Sequence, residues 1–285
     1  MVEVFNLIWA RVALGCYLGG LAAVITAALF QDTRQQNAAF RLARAAVAAG
    51  YLFQFVSLVE MASGPALQPA SFYRLATGLL AFVIAAFFLM VYRAYSPRAL
   101  SLLVMPLVSL LAFAATFTPY GVHGAPSAAS QALLHNGWIY VHIVLILVGY
   151  AGLVVAMASG MLYVISERSL KAKQMAMGAA PRLPALETLD LVSYRALLVG
   201  FPLLTAGLAI GAYWADALFG GISFRDPTVF LALLAWLVYL VLLFARWSAG
   251  WRGRRSAYLT LICFGLALAG WLANGLSSMH SLLQP

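Results

Sequence analysis

The stretch GWIYVHIVLILVGYAGLVVAMASGMLYVI, residues 137–165, holds no Asp, Glu, Lys or Arg and a single imidazole, at His142. Its apolar residues run on continuously instead of alternating, so it reads as a helix and not as a strand of a barrel: in lipid every backbone N–H and C=O must bond within its own segment. A hydrocarbon core of about 30 Å is crossed by about 20 helical residues, and this run is longer than that. Seven further stretches obey the same rule, near residues 5–30, 42–62, 74–93, 99–117, 192–214, 228–248 and 257–279.

Composition agrees with the spans. With 64% hydrophobic residues against 9% charged and a mean hydropathy of +0.94, the chain cannot cover itself with a water-compatible surface. The expectation is an all-α, polytopic membrane protein, a bundle of about eight transmembrane helices forming one domain over residues 1–285. The first span follows Met1-Val2-Glu3-Val4 with neither a basic n-region before it nor a clear small-residue cleavage site after it. It therefore reads as a retained helix and not as a signal peptide.

The basic residues orient the bundle, because arginine and lysine near helix ends resist translocation. They cluster in alternate connections: Arg34, Arg41 and Arg44; Arg93 and Arg98; Arg168, Lys171, Lys173 and Arg182; Arg246, Arg252, Arg254 and Arg255. Arg195 opens the sixth span on the same side, while Arg11, Arg74 and Arg225 are single charges on the other. These clusters mark the cytoplasmic face of a bacterial-type inner membrane, with both termini on the outer, periplasmic side. The net charge of +9 then follows from topology and from attraction to anionic membrane lipid, about 1 kcal/mol per basic residue, and gives no reason to expect nucleic acid as a partner.

In this frame all four histidines lie at the outer edge. His123 and His135 precede the fifth span, His142 sits about one turn inside it, and His280 ends the eighth. At 1.5 Å rise per residue, His142 and His280 reach similar depths on two different helices, so the pair is placed to ligate one iron from opposite sides, an arrangement that needs two neutral imidazoles facing each other across a planar macrocycle. Interfacial histidines also suit a half-wet boundary with no ligand at all, and that reading stands beside the first.

The remaining polar residues form no catalytic set. Cys16 and Cys263 lie inside the first and eighth spans without a Cys-x-x-Cys pair or a c-type haem attachment motif, and read as packing residues. Glu60 is the acid set well inside a span, with Arg74 across a short connection as its candidate partner; Arg11 reads as snorkelling. Gly149, Gly152, Ala156, Ser159 and Gly160 recur on one face of the fifth span, as close helix packing requires. The connection near 166–191, with Met175, Met177, Pro181 and Pro184, contains no phosphate-binding glycine motif and no nucleophile pattern. No enzyme activity is expected.

Four local motifs carry a family resemblance. They are Trp138-Ile139-Tyr140-Val141-His142 followed by Gly149-Tyr150-Ala151 and Glu167-Arg168; LDLVSYRALLVGFPLLTAGLAIGAYWAD from Leu189; GWRGRRSAY at 250–258; and His280 after Asn274 and Gly275. Together they resemble the cytochrome c assembly family of the CcsA/HemX type, strongly over 137–285 and in overall pattern before it. That resemblance implies a membrane protein handling haem b for cytochrome c maturation or haem metabolism, with His142 and His280 as axial, metal-binding ligands, haem as partner and other cytochrome c maturation proteins as possible contacts. Trp214 and Asp226 would belong to the cofactor-binding outer loop, and Arg11, Arg74 or Arg225 is placed by side and charge to meet haem propionates.

The departures point to one branch. Haem synthase members carry a tryptophan-dense loop between the sixth and seventh spans, whereas here residues 214–227 read WADALFGGISFRDP: Trp214, Gly220, Asp226 and Pro227 stay in register, and other tryptophan positions are Phe219, Ser223 and Arg225. Two membrane-buried histidines of synthase members correspond to Phe55 and Phe244, and phenylalanine does not ligate iron. The chain resembles the HemX-like inner-membrane branch more than the synthase branch. A non-haem interaction or scaffold protein, or a transporter, keeping the same fold is the alternative.

Overall fold

The computed structural model describes residues 2–30, 32–62, 69–95, 98–117, 137–171, 185–219, 221 and 223–273. Among them eight helices are long and apolar enough to cross a membrane, and no strand occurs. In chain order they are α1 (Val2–Leu29), α2 (Thr33–Ala62), α3 (Pro69–Tyr95), α4 (Arg98–Phe117), α5 (Gly137–Lys171), α6 (Leu186–Phe219), α7 (Pro227–Ser248) and α8 (Arg254–Ala273). The chain is a multi-pass membrane protein.

Two four-helix rings make up the bundle. Helices α1 to α4 pack each on the next, with α4 returning to α1; α5 to α8 do the same, with α8 returning to α5. Helix α5 joins the rings by packing against α3 and α4. Tyr17, Ile84, Leu100 and Val104 are fully buried in the first ring, and Leu153, Leu197, Tyr239 and Leu242 in the second. Ring-to-ring contact at the basic end is reinforced by the Arg195 guanidinium of α6, which hydrogen-bonds the Tyr95 hydroxyl of α3 and lies over its ring.

Several helices outrun their apolar spans. The α2 helix begins at Thr33, nine residues before its span near 42, because hydropathy reports only the part that suits hydrocarbon while the backbone continues helical through TRQQNAAFR into the interface. At 30 residues it is about 45 Å long. Asp32 starts it, its Oδ1 accepting from Arg34 N at 2.9 Å. Asp226 starts α7 in the same manner, accepting from Thr228 N and Val229 N with Pro227 in the first turn.

The family motifs that begin at Leu189 and at Gly250 meet in space. Asp190, in the first turns of α6, takes a bidentate pair from Arg246 of α7, with Nη1 at 3.1 Å from Oδ1 and Nη2 at 2.7 Å from Oδ2. The same carboxylate accepts the backbone N–H of Gly253 at 3.0 Å, and Arg246 also donates to Ser256 of α8 at 2.6 Å and lies 4.6 Å from the Tyr194 ring. Gly253 has φ +67, and a Cβ there would fall 2.5 Å from the Tyr163 hydroxyl. One ion pair thus ties α6, α7, α8 and the tight 249–253 connection together at the basic end.

Candidate functional site

The site is built on the α5–α6 seam. On α5 the residues His142, Ile146, Gly149 and Gly152 follow at helical spacing, and on α6 the facing positions are Gly211, Gly207, Leu204 and Gly200. The glycines let the backbones close up: a Cβ on Gly149 would lie 2.7 Å from Leu204 Cβ, and one on Gly152 would lie 2.8 Å from the Ala196 carbonyl oxygen. Small residues at helix crossings are how membrane helices gain close packing without a hydrophobic drive between them. The sequence expectation that the fifth-span small residues serve packing agrees with this seam.

That closeness fixes His142. Its half-buried imidazole lies against α6, and Nδ1 is 2.6 Å from the Gly207 carbonyl oxygen. A carbonyl only accepts, so Nδ1 carries the proton and the lone pair is on Nε2. Gly211 supplies the floor: a Cβ there would stand 2.5 Å from Cε1 and 2.8 Å from Nδ1 of the ring. The imidazole is therefore held in one tautomer and one plane by backbone alone, the arrangement typical of a histidine whose other nitrogen binds a metal.

Large aromatics surround this end. Trp138 lies one turn before His142 on the same face of α5 and is 58% exposed, and Tyr213 and Phe224 are also exposed. Trp214 is half-buried and meets Tyr213 edge to face at 5.7 Å. Asp226 is buried, with its carboxylate engaged in capping α7, while Arg225 beside it is exposed. His142, Trp214, Arg225 and Asp226 all belong to the same end of the second ring.

Arg74 belongs to the first ring. It is buried, its Nε donates to the Ala115 carbonyl at 3.0 Å, and with Gln54 and Ser57 it lines a cavity of about 30 Å³. Glu60 turns to α1, where its Oε1 accepts from Trp9 Nε1 at 3.2 Å. Phe55 and Phe244 are not brought together: they sit on α2 and α7, nearer opposite ends of the bundle, with 52% and 62% exposure. Cys263 is buried with its thiol donating to the Ala235 carbonyl, and Cys16 is half-buried. His280, His123 and His135 lie outside the described residues.

Sequence reasoning missed the Gly207 carbonyl and Gly211, although the α6 glycines four residues apart were visible as a packing pattern. It also missed the Asp190–Arg246–Gly253 junction, whose members are 56 and 63 residues apart along the chain.

A family model described as Cytochrome C assembly protein matches residues 70–279, from the start of α3 through α8. The cytochrome c biogenesis protein CcsA of a Synechococcus species is 32% identical over 182 residues, covering 52% of this chain and 60% of that protein. The CcsA of Synechococcus elongatus is 42% identical over 105 residues, covering 36% of this chain and 32% of that protein. The CcsA of Prochlorococcus marinus subsp. pastoris is 28% identical over 218 residues, 65% of this chain and 69% of that protein. Over its matched part the chain thus spans about 60% of the first of these relatives. No solved structure matches.

Proposed function

The chain belongs to the cytochrome c assembly protein family, and from that premise we propose that it is a non-enzymatic, haem-handling accessory factor of cytochrome c assembly, holding haem b at the outer face of a bacterial inner membrane through His142 and His280. The observation that carries this reading is the fixing of His142 by the Gly207 carbonyl at 2.6 Å, which leaves Nε2 as the ligating nitrogen. His142 and His280 would hold the haem through their imidazole nitrogens. The protein's part is to hold the ring: the Nδ1–H bond sets the tautomer, Gly211 lets the imidazole seat against α6, and Trp138 one turn outward offers an aromatic face beside it.

The placement of Phe55 and Phe244, and the Phe, Ser and Arg at the family's tryptophan positions in 219–225, favours the HemX-like branch, with haem held or presented to other maturation proteins instead of being carried between two membrane sites. Arg225 is an exposed cation at the histidine end of the second ring, suited to a propionate. In this reading the arginine-rich end of the bundle faces the cytoplasm and both termini face outward.

An absorption spectrum of the detergent-purified protein with added haem b tests this. The expected result is a six-coordinate low-spin spectrum that becomes five-coordinate in His142→Ala and in His280→Ala. Haem retained with an unchanged spectrum in the double variant would overturn the ligand assignment and favour a scaffold that keeps the family fold without iron ligation.

A further inference from the structure

At the opposite end of the bundle from His142 lies a cavity of about 760 Å³, bounded by the start of α2, the end of α3 and the start of α4. Its size is that of a small-molecule site. Arg34, Arg41 and Arg44 project into it from one face of α2, spaced seven and three residues apart, and Arg98 enters from α4. The single acidic residue in the lining, Asp32, uses its Oδ1 to cap α2. None of the four guanidinium groups is in an ion pair with a described carboxylate; Arg98 is steered across the gap by the Phe40 ring, 5.4 Å from its centroid. Four unneutralised arginines converging beside a helix N-terminus form a site for phosphate, since guanidinium pairs with phosphate through paired N–H bonds and the helix end adds partial positive charge.

Depth decides where the phosphate comes from. About 20 of the residues of α2 suffice to cross hydrocarbon, so its first turns, where the three arginines sit, stand at headgroup level. Exposed apolar side chains flank the cavity along the chain, Leu29 and Phe30 ahead of Asp32 and Leu42 beside Arg41. They suit acyl chains and would be misplaced around a site for a water-soluble anion. Beneath the cavity the packing closes: the crevice between Val24, Val47, Phe88 and Met105 has a volume of about 10 Å³, room for one water at most. The cavity is a blind cup, not the mouth of a path through the first ring.

We propose that this cup binds the phosphate headgroup of an anionic membrane lipid through Arg34, Arg41, Arg44 and Arg98. The site is independent of haem and of the histidine end. It gives the first ring a lipid-dependent anchor at the leaflet that carries the basic residues.

The test is thermal unfolding of the full chain in phosphatidylcholine mixed micelles titrated with phosphatidylglycerol, and separately with inorganic phosphate. Wild type is expected to be stabilised by phosphatidylglycerol and not by inorganic phosphate. Removing two arginines, in Arg41→Gln/Arg44→Gln or in Arg34→Gln/Arg98→Gln, takes away charge-assisted hydrogen bonds to the phosphate and shifts the titration midpoint by about a hundredfold or more; two separate pairs keep the test open if one fails to fold. Arg252→Gln/Arg255→Gln removes the same charge from the same end outside the cup, and its midpoint moves less than in either cup variant, by diffuse attraction alone. A shift as large in that control would mean diffuse surface attraction and overturn the site. So would an unshifted midpoint in both cup variants, while protection by inorganic phosphate alone, lost in the cup variants, would replace the lipid with a soluble anion.

Discussion

Replacing Gly211 by alanine isolates the contact on which the histidine site depends. The new methyl carbon would lie 2.5 Å from Cε1 and 2.8 Å from Nδ1 of His142, where carbon contacts settle at about 3.5–4.0 Å. The ring or the α5–α6 seam must therefore shift by about 1 Å. Overpacking of this kind costs about 1–3 kcal/mol. Displacing Nδ1 from its 2.6 Å bond to Gly207 adds about 1 kcal/mol. Against these stands the gain from replacing glycine in a helix, about 0.5–1 kcal/mol. The net expectation is a loss of about 1–3 kcal/mol, together with weakened haem binding because Nε2 moves with the ring. A double-mutant cycle reads it directly: unfolding in detergent at one scan rate is compared for wild type, Gly211→Ala, His142→Ala and the double variant. Once the imidazole is gone the three atoms nearest the added methyl go with it, so Gly211→Ala should be neutral or stabilising in the His142→Ala background. Gly265→Ala, where a Cβ meets nothing within 4 Å, is the control and should stabilise slightly in both. Equal losses from Gly211→Ala with and without His142 would refute the claim that the ring fills that space.

Other contacts give sharper or smaller effects. Asp190→Asn leaves the Arg246 guanidinium, whose side chain is 5% exposed, without its carboxylate, and should lower stability by about 3–5 kcal/mol; the apolar double variant Asp190→Leu/Arg246→Met should recover much of that in the same unfolding assay. Gly253→Ala combines a left-handed φ of +67 with a Cβ 2.5 Å from the Tyr163 hydroxyl, whereas Gly250→Ala meets only its φ of +62. Gly253→Ala should thus be the more damaging, and Tyr163→Phe should rescue it in part while leaving Gly250→Ala unchanged. Asp226→Ala removes the α7 cap and should cost about 1 kcal/mol, with Asp226→Asn close to wild type; haem absorbance that falls in Asp226→Asn despite normal stability would show that this carboxylate has a role beyond capping.

Much of the fold is legible along the chain because each segment's transfer into hydrocarbon is a local property. The eight apolar runs, the alternation of arginine clusters and the depth of His142 one turn inside the fifth span can all be read residue by residue, and α4 and α7 begin within a residue of their spans. The start of α2 could not be read that way, since an interfacial helical turn such as TRQQNAAFR looks in sequence like a polar connection.

What the sequence determined by itself is the set of helices, their alternation and the end of the fifth at which His142 lies, because hydropathy and charge act on each helix separately. The tertiary structure decided which faces meet: His142 on Gly207 and Gly211, Asp190 on Arg246 and Gly253, Arg74 turned into the first ring, and four arginines around one cup. Lipid tails are as apolar as the side chains they touch, so no hydrophobic stripe marks the face a membrane helix turns toward its neighbour. That choice rests on fit between glycines and side chains from different helices, and fit between distant segments is not written in either one alone.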